Sequence, residues 1–132
     1  MLPRALRAFF TGGPRSGKDE TEEIRAAITG LARAIRVGDA AAADGLISPR
    51  TRRASGGSRR FAAAVAAEHP VLVTGGTLTF AGVSEAGRQR LQSTVMPDAA
   101  GGLHLIDWQM VRDGDRWVVH AIQVRAAAEG SA

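Results

Sequence analysis

The chain has no cysteine, only one lysine, and no apolar run long enough to cross a membrane. The absence of cysteine excludes disulfides and thiolate-bound metal sites. A membrane-spanning helix needs roughly 18 to 20 apolar residues in succession, and the sequence contains no such run. Because Lys18 is the only lysine among 17 basic residues, the net charge of +4 reflects an arginine-rich compositional bias more than a nucleic-acid partner.

The length and the two ends of the chain predict one domain between flexible tails. A chain of 132 residues suits a single domain, since domains commonly contain about 100–150 residues. Residues 1–18 are rich in Gly, Pro and Arg, so we expect a tail there, a domain at 19–127 and a flexible end at 128–132. The apolar stretch near the start is only Ala-Phe-Phe, which is too short for a secretory signal. This predicts a cytoplasmic protein as written, or a secreted or periplasmic one if the true start lies elsewhere.

The stretch Gly12–Lys18 matches the G-x-x-x-x-G-K pattern of phosphate-binding loops, but its surroundings argue against that function. The motif needs Ser or Thr after the lysine to hold magnesium, and Asp19 takes that position here. A buried parallel strand should precede the loop, and Arg4 and Arg7 do not suit such a strand. The sequence therefore predicts a tail before a helix, and no nucleotide cofactor.

Periodicity and capping residues predict three helices in the first half. The apolar residues of the first helix recur at steps of four, three and four: Ile24, Ile28, Leu31 and Ile35. The predicted N-terminal caps of the three helices are Asp19, Asp39 and Ser58. The predicted helix ends are Gly38, Ser48-Pro49 and Pro70. The arginine-rich segment between the second and third helices is predicted to be a loop.

The second half has the alternation and the turn signals of consecutive strands. The apolar runs that we predict as strands are VLV, TLTFAGV, RLQSTVM, LHLIDWQMV and RWVVHAIQVR. Glycine-containing turns separate them. Because helices come first and strands follow, the order predicts an α+β domain with its N-terminal helices packed on one face of an antiparallel sheet.

The sequence MVRDGDRW predicts a β-hairpin with Asp113-Gly114 as its two-residue turn. This register pairs Trp108 with Val119 and Asp107 with His120. It places four large residues on the face that meets the helices: Ile106, Trp108, Met110 and Trp117. Five aliphatic residues would lie on the outer face: Leu103, Leu105, Val118, Ile122 and Val124. A slip of one residue would exchange the two faces.

Two candidate sites follow from this hairpin. The inner face has the composition of an ordinary core, and the alternative is a ligand pocket built from the same residue types. Four residues would line that pocket: Trp108, Trp117, Met110 and Phe61. Asp107 and His120 form the only carboxylate–imidazole pair that the register brings together, as a general base would require. A structural cross-strand charge pair is the commoner role on an outer face, and three scattered histidines predict no metal site.

The densest charge cluster lies between the second and third predicted helices. It consists of Arg50, Arg52, Arg53, Arg59 and Arg60. Guanidinium groups bind phosphate and other anions, which makes Arg52 and Arg53 candidate anion contacts. A solvated loop is the simpler interpretation, given the arginine bias. No aromatic residues interleave with the arginines as single-strand binding requires, so we expect no specific nucleic-acid partner.

Several of these elements together resemble a bacterial domain-of-unknown-function family, numbered 4864. The matching elements are Ser48-Pro49 with an arginine shortly after, Gly56, Phe61 to Val65, Pro70, and Asp113-Gly114 with Trp117. They fall within residues 24–125, and His69 stands where the family pattern has tyrosine. The family is similar to the nuclear transport factor 2-like superfamily, which implies a cystatin-like cone of helices wrapped by a curved antiparallel sheet. The resemblance implies no catalytic residue.

The inner face predicts a non-catalytic domain that binds a small ligand or a protein partner, because that face offers no Asp, Glu or Tyr as an acid or base. One alternative is a small cone-fold enzyme of the isomerase or hydratase kind. The other is a weak anion or nucleic-acid binder acting through the arginines from Arg50 to Arg60. No cofactor is expected. The outer aliphatic face predicts a homodimer, since a monomer seldom exposes such a patch and the resembled superfamily often dimerises there.

Overall fold

The computed structural model describes residues 17–126. The predicted tails at 1–18 and 128–132 lie outside these residues, except that Gly17 and Lys18 already belong to the first helix. The stretch Gly12–Lys18, for which we predicted a tail and not a phosphate-binding loop, therefore also falls mainly outside the described part.

Within residues 17–126, five helices precede four strands. The helices are α1 (Gly17–Val37), α2 (Ala40–Asp44), α3 (Pro49–Ser55), α4 (Ser58–Glu68) and α5 (Val71–Thr74). The strands are β1 (Thr79–Ala86), β2 (Gln89–Pro97), β3 (Leu103–Asp113) and β4 (Arg116–Ala126). The sequence order of helices before strands is therefore confirmed, although two of the five helices were not expected.

Helix α1 buries the apolar stripe that its sequence spacing predicts. The four residues of that stripe are all buried: Ile24, Ile28, Leu31 and Ile35. The helix begins at Gly17, so Asp19 lies in its first turn and is not the N-terminal cap that we predicted. A carboxylate in the first turn still favours the helix, because it faces the positive end of the helix dipole. Gly38, with a φ of 72°, ends the helix as expected.

The arginine-rich segment after Ser48 is helix α3, which corrects the predicted loop. The Ser48 hydroxyl accepts a hydrogen bond from the Thr51 N–H at 3.2 Å, so Ser48 is the cap of this helix. Pro49 fits the first helical position, where no N–H is needed. Ser48-Pro49 thus starts a helix and does not merely end the one before it. Gly56, with a φ of 84°, closes α3 in the left-handed conformation.

The boundaries around α4 differ from the prediction in two places. Gly57 is the N-terminal cap of α4, and the Ser58 hydroxyl instead donates to a carboxylate oxygen of Asp44 at 2.6 Å. After Pro70, the apolar residues Val71–Thr74 form the helical turn α5, not the predicted strand. Four residues of an apolar run fit either state, and here a helical turn lets Val71 and Leu72 enter the core.

The four strands form one antiparallel sheet in the order β1-β2-β3-β4. The edge of β4 is covered by the segment before α3, because Ile47 forms a parallel bridge with Val119. The Ser48 N–H donates to the Val119 carbonyl, and the Val119 N–H donates to the Leu46 carbonyl, both at 2.8 Å. This pairing protects one sheet edge and fixes where α3 begins.

The β3–β4 hairpin turns one residue later than we predicted. Asp113 pairs with Arg116, which makes Gly114 and Asp115 the turn residues. Further along, a β-bulge shifts the register between Gln109 and Met110. The predicted pairing of Trp108 with Val119 is therefore wrong, since Met110 pairs with Val119.

The bulge changes the faces of the residues that follow it in β4. Trp108 and Ile106 pair with Ile122 and Val124, so both aliphatic residues lie on the inner face and pack on the core. The predicted outer set consequently loses these two members. A bulge adds one residue to one strand, and every later side chain of that strand then changes sides.

The helices pack on the inner face of the sheet, and the α+β fold class is confirmed. The sheet is open and curved, so the domain has a cone-like shape. The largest fully buried side chains of its core include Trp108, Ile28, Leu31, Leu72 and Met110. Within residues 17–126, every helix is too short or too polar to cross a membrane.

Candidate functional site

The four residues predicted to line an aromatic pocket all lie in the core between the helices and the sheet. They are Phe61, Trp108, Met110 and Trp117, and each is at most 8% exposed. The Trp108 indole N–H donates to the Thr94 hydroxyl at 2.9 Å, and that hydroxyl donates to the Ile106 carbonyl at 2.8 Å. The surface clefts described below are lined by other residues.

Trp117 occupies an unusual electrostatic position at the hairpin end of the sheet. The guanidinium groups of Arg90 and Arg112 lie 5.4 and 5.3 Å from its ring centre. Arg90 is also paired with Glu20 of α1, with 2.8 Å between Nε and Oε2. The buried Trp117 indole N–H has no acceptor within the described part of the chain. Arg90 therefore connects the start of α1 to Trp117 on the sheet.

Asp107 and His120 are not partners, which corrects the predicted carboxylate–imidazole pair. In the observed register Asp107 pairs with Gln123, because of the later turn and the bulge. The Asp107 carboxylate accepts from the Ser93 hydroxyl at 2.8 Å and from the Arg125 guanidinium at 3.1 Å. Asp107 therefore has a structural ion pair on the outer face, and it has no contact that would make it a general base with His120.

His120 instead connects β4 to the start of α3. Its Nδ1 lies 2.9 Å from the Ser48 hydroxyl and 3.3 Å from the Thr51 hydroxyl. The Thr51 hydroxyl also donates to the His120 carbonyl at 2.6 Å. Ser48 is only 2% exposed, so this serine–histidine contact is closed to a substrate. The geometry is that of a link between a helix and a strand.

The two candidate anion contacts, Arg52 and Arg53, differ in their surroundings. The Arg52 guanidinium donates to the backbone carbonyls of Asp44 and Ile47, at 2.7 and 3.3 Å, and lies 3.8 Å from the Asp44 carboxylate. Arg52 thus holds α3 against the end of α2. Arg53 is exposed on the same helix, where its side chain is available to an anion.

A cleft at the end of the sheet brings together polar residues from three separate parts of the chain. We call it the end cleft; its walls are Glu68, His69, Pro70, Val71, His104, Val124 and Arg125. His69 follows α4, His104 lies at the start of β3, and Arg125 lies at the end of β4. The volume of the cleft is about 250 Å³. His69, His104 and Arg125 therefore line one cleft together with the aliphatic residues Val71 and Val124.

His104 is held in one orientation by Asp98 of the β2–β3 turn. The distance from His104 Nε2 to Asp98 Oδ2 is 2.8 Å. The other carboxylate oxygen of Asp98 accepts from the backbone N–H groups of Ala100 and Gly102, at 2.9 and 2.8 Å. These hydrogen bonds, first the one from His104 and then that from Gly102, lower the pKa of the Asp98 carboxyl.

The ionised state of Asp98 decides which nitrogen of His104 carries the proton. A carboxylate only accepts, so His104 Nε2 must donate to it. In the neutral imidazole, Nδ1 is then the acceptor, and it remains for a ligand or for proton transfer. This is the one oriented histidine of the end cleft with a carboxylate at hydrogen-bonding distance.

The charges around the end cleft are closely balanced. Arg125 is paired with Asp107, and the His69 imidazole lies 3.9 Å from the Glu68 carboxylate. With the Asp98–His104 pair, each basic side chain of the cleft has a carboxylate of its own. Within residues 17–126, no group of three side chains is arranged to hold a metal ion. The cleft is thus suited to hydrogen bonding in both directions more than to strong attraction of a single charge.

The sequence analysis missed the end cleft, because it placed no partner beside His69 or His104. One local signal was present in the sequence from Asp98 to His104. Aspartate followed by residues that include Gly101 and Gly102 is typical of a turn in which the carboxylate accepts backbone N–H groups. In the structure the other oxygen of this carboxylate contacts His104 at the start of β3. The approach of His69 depends on α5, which was predicted as a strand, and had no local signal.

Two further clefts are more apolar. One lies between α1, α2 and α4, has a volume of about 220 Å³, and is lined mainly by alanines with Arg59 at its side. The other has a volume of about 190 Å³, with Arg33 and Arg36 beside Leu72 and Met96. The Arg36 guanidinium donates to the Gly75 carbonyl at 2.7 Å, so it serves the fold. Neither cleft brings together titratable groups from several elements.

Comparison with known proteins identifies a family that is described as a domain of unknown function. The family model described as "Domain of unknown function (DUF4864)" matches residues 17–132. No curated protein and no solved structure matches the chain. The matched range starts at the first residue of α1 and includes all the strands.

Proposed function

The chain belongs to the DUF4864 family, and from that premise we propose that it is a non-catalytic binding domain whose small ligand occupies the end cleft. The observation that carries the proposal is the convergence of His69, His104 and Arg125 on one cleft of about 250 Å³. Ligand sites are concave and combine apolar walls with a few placed polar groups. Val71 and Val124 supply such walls here.

The chemistry of the cleft favours a small polar ligand that is neutral or zwitterionic. Its basic groups are already balanced by the carboxylates of Glu68, Asp98 and Asp107. A strongly charged ligand would lose hydration without meeting an equal and unpaired opposite charge. A molecule the size of a small amino acid could donate to His104 Nδ1 and pack its apolar part against Val71 and Val124.

The test is a set of two-dimensional amide NMR spectra with a panel of free amino acids and small primary amides. We expect some compounds to shift the amides of His69, Val71, His104 and Arg125 selectively. His104→Ala should weaken that binding at least tenfold, because it removes an imidazole that lines the cleft. Arg33→Ala, which alters a different cleft, is the matched control and should have no effect. Shifts confined to other regions would contradict the proposal.

A second candidate function is a small enzyme that uses His104 as its base. The specific observation in its favour is the Asp98–His104 hydrogen bond of 2.8 Å, which orients the imidazole. A histidine oriented in this way can accept a proton at Nδ1, so proton transfer is the chemistry that we propose for it. Turnover of a compound that binds in the cleft, lost in His104→Gln, would favour this function over simple binding.

We also propose that the domain is of the nuclear transport factor 2-like kind and forms a homodimer. The helices-first order and the curved antiparallel sheet support the superfamily assignment. Support for the dimer comes from four aliphatic residues of β2 and β3 on the outer face: Leu91, Val95, Leu103 and Leu105. We call them the outer patch. The two leucines Leu91 and Leu103 are 38% and 46% exposed, and a second copy of the same patch would cover them.

A further inference from the structure

Four arginines of the consecutive helices α3 and α4 are exposed, and we call them together the arginine surface. They are Arg50, Arg53, Arg59 and Arg60. Among the described residues, none of these four side chains is paired with a carboxylate. The nearest acid in the sequence, Asp44, is already engaged by Arg52 and Ser58. The arginine surface therefore carries positive charge that the fold does not neutralise.

The helix caps fix the backbone positions from which these side chains extend. Ser48 caps the start of α3, and Gly56 closes its end with a φ of 84°. Gly57 caps α4 directly afterwards. Since the arginines lie on helices and not on a loop, little backbone entropy would be lost when they bind a partner. The exposed residues beside them include Ala54, Ala63 and Ala64, whose short side chains leave the guanidinium groups accessible.

The chemistry of the surface favours phosphate groups on a rigid backbone. Guanidinium groups match phosphate through paired N–H donors. The described part of α3 and α4 has no exposed aromatic side chain on which unpaired bases could stack. The large apolar side chains exposed elsewhere, such as Val37 and Leu91, are not on these two helices, so nothing on them would insert into a lipid surface.

We propose that the arginine surface binds the phosphodiester backbone of double-stranded nucleic acid without sequence preference. This binding is independent of the ligand in the end cleft. Four arginines can neutralise about four phosphates, so the logarithm of the association constant should fall with the logarithm of salt concentration with a slope of about −3.5. Between 50 and 200 mM salt, the affinity should therefore drop roughly 100-fold.

The experiment is fluorescence anisotropy with two labelled 20-base-pair DNA duplexes of unrelated sequence, titrated with the full chain at several NaCl concentrations between 50 and 200 mM. The double variant Arg59→Gln/Arg60→Gln should reduce the slope to about −2 for both duplexes. The control Arg33→Gln/Arg88→Gln removes the same charge from exposed positions elsewhere and should keep the slope of the unaltered protein. Arg50→Gln/Arg53→Gln is a second test variant if the first does not fold.

Three outcomes would overturn the proposal. The first is the absence of binding at 50 mM salt. The second is an equal loss of slope in the test and control variants, which would mean that the net charge of +4 and not this surface attracts DNA. The third is binding to vesicles of phosphatidylserine and phosphatidylcholine that is tighter than binding to either duplex at the same salt concentration.

Discussion

At the scale of single residues, the two tryptophans give a sharp contrast. Both are buried, but within the described residues only Trp108 has an acceptor for its indole N–H. Trp108→Phe should lower the free energy of unfolding by about 1–3 kcal/mol, because the Thr94 hydroxyl loses its donor. Trp117→Phe should lower it less, since removing an unpaired buried N–H offsets part of the lost stacking with Arg90 and Arg112.

The measurement is urea denaturation of both variants beside the unaltered protein. The two substitutions remove the same atoms, so the difference between them reflects the hydrogen bond of Trp108 on one side and the unpaired N–H and cation stacking of Trp117 on the other. An equal or larger loss for Trp117→Phe would contradict the prediction.

The lowered pKa of Asp98 predicts how the free energy of unfolding depends on pH. Its pKa in the folded protein is lowered, first by the hydrogen bond with His104 and then by that from Gly102. A carboxyl whose folded pKa is lowered stabilises the fold above its unfolded pKa, about 3.9 for aspartate, and that contribution disappears as pH falls through the folded value. Asp98→Asn should therefore be less stable than the unaltered protein at pH 6, and the difference should shrink steadily below pH 4. Urea denaturation at several pH values measures it, and a difference that grows toward low pH would contradict this sign.

Residue types were easier to predict from the sequence than residue partners. The apolar stripe of α1 was predicted correctly, since burial depends on a spacing that repeats along the chain. The pairing of Asp107 with His120 was wrong, because it required a register counted over many residues from the turn. One late turn and one bulge were enough to separate them. His104 found its partner in Asp98 through a local turn, and this contact could have been predicted.

At the scale of secondary-structure elements, Ser48 joins a helix, a strand and a sheet edge. Its hydroxyl caps α3 and lies 2.9 Å from His120 Nδ1, while its backbone N–H pairs with Val119. Ser48→Ala should lower the free energy of unfolding by about 1–3 kcal/mol, because α3 loses its cap and the His120 imidazole loses the hydroxyl that it contacts. His120→Ala should be partly redundant with it, because both remove the same contact.

A double-mutant cycle distinguishes this link from two separate effects. We expect a coupling energy of at least about 0.5 kcal/mol between Ser48→Ala and His120→Ala, measured by urea denaturation. Asp39→Ala is the matched control, since Asp39 caps α2 through the Ala42 N–H. Its effect should add to that of His120→Ala without coupling. If the stability losses of Ser48→Ala and His120→Ala also add without coupling, the serine acts only as a helix cap.

The elements that the sequence analysis missed are short ones set by tertiary contacts. Helix α3 is rich in arginine and contains only seven residues, so neither periodicity nor propensity identified it. Helix α5 has four residues from an apolar run that also suits a strand. Both are stabilised by what lies next to them: β4 and Ser48 for α3, and the core for α5. The strands from β1 to β4 were predicted because short stretches of sequence contain their turn residues and their alternation of apolar and polar residues.

At the scale of the whole molecule, the helices cover the inner face of the sheet, and both proposed binding sites lie at the surface of the domain. The residues expected to line an inner pocket are packed in the core, as are the side chains of α1 beside them. The end cleft includes only the last residue of α4, Glu68, whereas the arginine surface lies on α3 and the first turn of α4, so the two proposals can succeed or fail separately. The aliphatic residues of the outer face of the sheet belong to neither site.

The outer patch predicts a homodimer, although it contains different residues from the outer aliphatic set that the sequence predicted. Ile122 and Val124 lie on the inner face, and Val118 is only 1% exposed. Val95 pairs with Leu105 across β2 and β3, Leu103 lies next to this pair, and Leu91 lies on the same face beyond the Ser93–Asp107 pair. A twofold contact would bring the same patch of each copy together and remove its aliphatic surface from water. The Asp107–Arg125 ion pair beside the patch would then fix the register of the two copies.

Leu105→Glu should break that dimer, because the contact would bury a carboxylate without a partner. Sedimentation equilibrium at micromolar concentration should give the mass of two chains for the unaltered protein and of one chain, 13.8 kDa, for the variant. Val37→Glu is the matched control: Val37 is 64% exposed at the end of α1, away from the sheet, and the substitution should leave the dimer intact. A single-chain mass for the unaltered protein would refute the dimer. Equal dissociation in both variants would show that added negative charge, and not the outer patch, controls association.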